Sequence, residues 1–305
     1  MGAPPLLEVR GAARFNYPYL EFLMHIGLGL PISDPAALLD WARRADAGPF
    51  STLGLLDRLV YDNPEPLVAL GMLAGATNRI KVQTEVLIAP LREPTLLAKQ
   101  AATLDRMSGG RLVLGLGVGG REDDHIASCT DIRTRGRRLD EQMEIMRRLW
   151  SGQAYGADCG PVGPAPLHPE GPEVLFGGFQ PAAIDRVGRW GGGFLAAAAP
   201  SWAGGLFDTA RRSWTEHGRA GEPRIVAQVN VALGAPELVE EARAAMGAYY
   251  EFSGRADYMV AGMLTTPDEI RAAIKQFDDL GADEVMLYCY GGDADQVDRL
   301  ADVIG

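Results

Sequence analysis

Residues 104–120 read LDRMSGGRLVLGLGVGG, and the order of signals along them decides the fold class. A helix is expected to end at Met107. Ser108-Gly109-Gly110 then turns the chain, because glycine takes positive φ without steric cost and closes helices well. Residues 111–116 form an apolar run too short for a helix and bounded by glycine, which reads as a buried strand. Gly117, Gly119 and Gly120 follow, so the carboxyl end of that strand has almost no side-chain bulk. A strand end stripped to backbone lets a flat or anionic group approach closely. The plainer alternative is an ordinary strand-to-helix turn.

The same alternation extends in both directions. Strands are expected at 24–30, 50–56, 80–89, 111–116, 174–176, 193–198, 224–233 and 284–290. Each is followed by a helical pattern; Pro94, Pro181, Pro236 and Pro267 open four of these helices, and Ser33-Asp34-Pro35 is expected to cap the first. Eight βα repeats over roughly the ~250 residues typical of that architecture predict a single (β/α)8 TIM-like barrel with insertions, an α/β fold. A doubly wound sheet would place G-x-G-x-x-G directly after the first strand, and residues 25–32 lack it. The stretch 153–172 is Gly/Pro/Ala-rich and long enough to suspect a role over a site; 251–266 reads as irregular. Residues 1–23 show no clear period and are expected to be an extension outside the fold, with the domain at 24–305.

The 305 residues are 47% hydrophobic and carry a formal charge of -11, which opposes nucleic-acid or anionic-membrane partners. No apolar stretch reaches the ~20 residues of a membrane span. Three scattered cysteines without a C-x-x-C pair read as reduced thiols of a cytoplasmic protein, and four isolated histidines show no metal-site spacing, so no metal is expected.

Barrel sites lie at the carboxyl ends of strands. The residues expected there are mostly small or apolar, with no nucleophile–base pair or paired carboxylates converging. Such a mouth suits a large planar cofactor that brings its own chemistry. Phe176-Gly177-Gly178-Phe179-Gln180-Pro181 offers it a phosphate seat, two glycines running into a helix N-terminus. An ordinary tight turn is the alternative. Asp57-Arg58 is either a catalytic pair or an ion pair closing a loop. Residues 121–125 (REDDH) read as a solvated loop, and Arg133, Arg135, Arg137 and Arg138 as one charged helix face. Phe179, Trp202, Met263 and Tyr288 are expected to line an apolar mouth suited to an organic substrate.

These residues together resemble the luciferase-like flavin-dependent oxidoreductases, which include bacterial luciferase and deazaflavin-dependent reductases and dehydrogenases. HIGLGLPI (25–32), the segment 76–120, RGRRLDEQMEIMRRLW (135–150), LFGGFQPAAIDRVGRWGGGFL (175–195) and GADEVMLYCYGGD (281–293) carry the likeness. The resemblance implies a barrel that binds FMN or the deazaflavin coenzyme F420. It implies a cis Glu85-Val86 bond behind the flavin ring, and ribityl-phosphate contacts from Gly117, Gly119, Gly177, Gly178, Phe179 and Gln180. A buried carboxylate beside a flavin needs a partner or a raised pKa, so Glu85 is expected to turn its side chain off the barrel axis. Two positions depart from the family. Arg58 stands where many relatives have histidine, and Val118 where luciferase grips phosphate with arginine. The activity implied is a monooxygenase using reduced FMN, supplied by a separate reductase, on a small organic substrate. Hydride transfer with F420, or non-catalytic flavin binding, are the alternatives. A homodimer is expected.

Overall fold

The computed structural model describes residues 24–31 and 35–305, so the expected extension at 1–23 and Ser33-Asp34 lie outside the described residues, and the first helix starts at Leu38 with Ala37 at its N-cap rather than at Pro35. The chain runs β1 (His25–Gly29), α1 (Leu38–Ala47), β2 (Thr52–Leu55), α2 (Pro66–Ala76), β3 (Lys81–Thr84), β4 (Leu87–Ile88), α3 (Pro94–Met107), β5 (Leu112–Gly117), α4 (Glu122–Ala127) and α5 (Arg135–Trp150). It continues through β6 (Glu173–Gly177), α6 (Pro181–Trp190), β7 (Gly193–Ala196), α7 (Pro200–Glu216), β8 (Arg224–Val231), α8 (Pro236–Tyr250), α9 (Ala256–Ala261), α10 (Pro267–Asp279), β9 (Glu284–Cys289) and α11 (Asp295–Ile304).

Every strand pairing among these is parallel, in the order β3-β2-β1-β9-β8-β7-β6-β5-β4, and a β3–β5 pairing closes the sheet. Both β3 and β4 pair with β5, so they are two pieces of one stave and the barrel has eight. The expected (β/α)8 architecture is therefore present. Its local causes are ordinary. Proline at the first helical position starts α2, α3, α6, α7, α8 and α10. The carboxylates of Glu65 and Glu93 accept the first free N–H groups of α2 and α3. Gly109 and Gly110, at φ 67° and 83°, release the chain from α3 into β5.

One apolar layer lies between barrel and helices; a second fills the lumen, where Val113, Leu175, Leu195, Val226 and Met286 pack with Val86 above them. At the floor, Glu284 is fully buried and paired with Arg224, which also reaches Glu173 at 2.9 Å.

Three expectations need correction. The strand expected at 80–89 is interrupted between β3 and β4, where the Glu85-Val86 peptide bond is cis as the resemblance implied. The stretch 153–172 does not cover the mouth. Its Leu167 N–H donates to Asp105 at 2.7 Å, Lys99 and Arg106 of α3 donate to Gly163 and Ala165, and it then enters β6. A loop that leaves a helix and enters a strand arrives at the amino ends of the staves, opposite the mouth. Residues 251–266 hold a short 3-10 turn and α9 rather than irregular chain.

Candidate active site

At the carboxyl ends of β5 and β6, Glu85, Val86, Gly117, Gly119, Gly177, Gly178, Phe179 and Gln180 line one cleft of about 370 Å³, with Val118, Gly120, Ala183, Leu195, Ala197 and Gln228. The structure thus brings all eight residues expected around a cofactor onto one surface. Their glycines serve different ends. A Cβ on Gly117 would stand 2.4 Å from Val86 Cγ2, and one on Gly177 would stand 2.8 Å from Val86 Cγ1. The bare faces of these two glycines are filled by Val86 itself, so the valine forms the back of the cleft. Gly119 turns at φ 69° with Ile88 pressed against it, whereas a Cβ at Gly120 would meet nothing within 4 Å. At Gly178 a Cβ would come 2.6 Å from Ala183 Cβ, so only glycine lets this loop lie on the first turn of α6. No side chain caps the α6 N-terminus, which leaves its dipole directed at whatever enters the cleft.

Glu85 departs from expectation. Its carboxyl group lies inside the barrel, bonded by Gln83 Nε2 and packed where a Gly54 side chain would otherwise be. Off-axis placement fails because the inward face of β2 is a glycine there, leaving the lumen as the open volume. Burial pushes the Glu85 pKa up to about 8, opposed by the Gln83 bond and reinforced by Glu284.

Asp57 and Arg58 stand beside the mouth without lining this cleft. Asp57 Oδ2 accepts from the Ile88 N–H at 2.8 Å and from Arg92 at 2.6 Å, and Oδ1 accepts from Arg92 at 3.1 Å. Its carboxylate ties the end of β2 to the segment after the cis bond. Arg58 donates to the Tyr249 and Val60 carbonyls and lies over the Tyr61 ring at 4.2 Å and the Tyr249 ring at 5.1 Å. Burial, with Arg121 nearby, pulls its pKa below the ordinary value. Arg58→Lys is expected to lose about 1–3 kcal/mol of stability, since an ammonium cannot stack and fork simultaneously. Equal urea midpoints for the two proteins would refute that role.

The REDDH segment is not a solvated loop. It forms α4, where Asp124 is buried and accepts the Leu59 and Val60 N–H groups at 3.1 and 2.6 Å. His125 is buried too, with Nδ1 2.9 Å from Thr130 Oγ1, and burial lowers its pKa against the pull of the Val118 backbone.

A second, smaller cleft of about 160 Å³ adjoins the first, sharing Ala197 and Gln228. Trp202, Asn230, Tyr250, Tyr258 and Leu264 are among its walls. The Phe179 and Trp202 rings, 5.8 Å apart, bridge the two clefts. Tyr288 and Met263, expected at the mouth, are buried and line neither cleft. Gln228 and Asn230 stand at the carboxyl end of the strand expected at 224–233, where barrel sites lie, and period 2 puts both on one face of β8. Among the described residues no cluster of metal-ligating side chains occurs, and no helix is long and apolar enough to cross a membrane.

Comparison with known proteins gives the following. An uncharacterised protein of Mycobacterium tuberculosis is 31% identical over 178 residues, 53% of this chain and 60% of that protein, so the chain matches less than two thirds of that relative's length. Among solved structures, an F420-dependent secondary alcohol dehydrogenase in complex with an F420-acetone adduct superposes with a TM-score of 0.76 at 20% identity, over 92% of this chain and 98% of that one. The oxygenating constituent of 3,6-diketocamphane monooxygenase from Pseudomonas putida, in complex with FMN, superposes with a TM-score of 0.72 at 16% identity, over 92% and 96%. Both likenesses are of fold. The luciferase-like monooxygenase family model matches residues 22–282, and the chain belongs to that family of oxidoreductases.

Proposed function

We propose that this protein is a flavin-dependent monooxygenase that takes reduced FMN, supplied by a separate reductase, into the glycine cleft and acts on a small organic substrate in the adjoining one. The observation that carries the reading is the cleft itself. Its back is Val86, Gly117, Gly119, Gly120, Gly177 and Gly178 stand along its walls, and the uncapped start of α6 opens onto it. When bound, the flavin supplies the redox chemistry. The chain's own part is to hold the ring against Val86, to present N–H groups and a helix dipole to the phosphate, and to keep water from the face of the ring. No arginine or lysine lines the cleft, which suits a flavin that arrives and leaves more than one held permanently.

Hydride transfer with F420, without oxygen, is the second reading. It is supported by the closeness of the fold to the F420-dependent alcohol dehydrogenase. Equilibrium titration of the purified protein with FMN, reduced FMN and F420 decides between them, and tight binding of F420 alone would overturn the first. Gly178→Val is expected to weaken binding of the preferred cofactor by about 1–3 kcal/mol, because the new side chain displaces the loop from Ala183 and misplaces the seat. Unchanged affinity in a variant with wild-type circular dichroism would remove the phosphate seat from the proposal.

A further inference from the structure

Ala197 and Gln228 wall both clefts, and of the two only Gln228 carries a polar side chain. The strand aims that side chain inward. Val226 packs in the lumen with Val86, and period 2 along β8 puts Gln228 on the same face. In register with Gln228 on β9 is Met286, another lumen residue. Val226 and Met286 are buried, whereas Gln228 is half-buried, one step nearer the mouth. Among the described residues its amide finds no hydrogen-bond partner, and neither of its polar atoms is sealed from solvent. Such an amide is available to whatever occupies the clefts.

The shared wall limits what that amide meets. A flavin reacts at one edge of its central ring, around N5, and a substrate has to be held against that edge. With the ring in the glycine cleft and the substrate in the adjoining one, the wall common to both stands beside the reacting edge. A primary amide donates through its NH2 and accepts through its carbonyl. It therefore pairs with the N5 lone pair of oxidised FMN and with the N5–H of the reduced form. In a deazaflavin such as F420 the same ring position is carbon, with neither a lone pair nor an N–H to offer. A deazaflavin would shield the amide from water and leave it unpaired, which costs affinity.

We infer that Gln228 selects cofactors with nitrogen at ring position 5 over deazaflavins, by hydrogen-bonding that nitrogen through its side-chain amide. This rests on the reading of the glycine cleft as the cofactor seat.

The probes are FMN and 5-deaza-FMN, which differ only in N against C–H at that position. Each is titrated calorimetrically into the full chain, into Gln228→Met and into Gly178→Val. The full chain is expected to bind FMN at least ~10-fold more tightly than 5-deaza-FMN. Gln228→Met keeps the length and loses the amide, so it should lose that preference by weakening FMN alone. Retained binding of 5-deaza-FMN shows that the variant is folded. Equal affinities in the full chain, or an undiminished FMN preference in Gln228→Met, would overturn the inference. Gly178→Val separates the two readings. If it weakens both probes while Gln228→Met keeps the preference, the cofactor seat stands and selection by Gln228 falls. If it changes neither probe while Gln228→Met loses the preference, the phosphate seat falls and selection by Gln228 stands. If neither probe binds the full chain, the seat falls and the inference falls with it.

Discussion

Replacing Glu85 with Gln is expected to abolish a fall in stability that the wild-type protein shows as pH rises from about 4.5 to about 8. The side chain is buried in the lumen, with Met286 and the bare face of Gly54 around it and Gln83 Nε2 bonded to its carboxyl oxygen. Burial is the main influence on its pKa. The Gln83 bond and the more distant Arg224 pull it down, Glu284 pushes it up, and the outcome is about 8 against an ordinary value of 4.5. The folded protein therefore binds a proton that the unfolded chain releases at lower pH. That proton's contribution is complete below pH 4.5, declines through the interval, and is gone above pH 8. At about 1.4 kcal/mol for each pH unit separating the two values, the decline amounts to about 5 kcal/mol. Glutamine keeps the volume and the oxygen that accepts from Gln83, and it does not titrate. Urea unfolding of both proteins at pH 5 and pH 8.5 would reveal the difference, the variant gaining on the wild type at the higher pH. Parallel losses in the two proteins would show that Glu85 is already ionised in the fold. The same chemistry bears on function: at neutral pH the group beneath the cleft is an acid holding its proton, so it does not serve as a base there.

Much of the barrel was legible because its signals are local. The turn at Gly109-Gly110, the four prolines expected to open helices and the short apolar strands are each fixed by a few adjacent residues, and apart from the stave that breaks at Glu85-Val86 each lies at or within a few residues of its expected place. The glycine cleft was legible for the same reason, since backbone exposure is written into the glycines themselves. What escaped depends on contacts between distant segments. Asp124 and His125 look like solvent-facing residues until α4 packs them against Leu59 and Thr130. Tyr288 has the composition of a mouth residue, yet its ring fills the space left by Gly29 of the neighbouring stave. The role of Val86 in filling Gly117 and Gly177 needs the register of three staves at once. The placement of Gln228 and Asn230 on one face needs only the alternation along β8.

Asp57 supplies the other large effect. Its sequence neighbour is Arg58, but its carboxylate is claimed by Arg92, thirty-five residues on, in a two-pronged pair closed by the Ile88 N–H. Only 2% of the Asp57 side chain and 19% of that of Arg92 are accessible, so neither charge is left to water. Removing one member of such a pair strands the other, which typically costs about 3–5 kcal/mol. Arg92 also reaches Glu65 at 3.0 Å and keeps that partner. Asp57→Asn is accordingly expected at the lower end, about 3 kcal/mol. Arg92→Leu should lose about as much, because it leaves the Asp57 carboxylate buried with a single N–H donor. The double variant is expected to regain most of either loss, since an uncharged pair of similar volume needs no mutual compensation. Urea midpoints of the four proteins complete the cycle, and losses that simply add would show that the two side chains do not hold each other. Cofactor titration then separates support from chemistry. The double variant should recover cofactor affinity together with stability if Asp57 acts by anchoring the segment that carries Val86. A stable double variant that still fails to bind would place the carboxylate itself in the site.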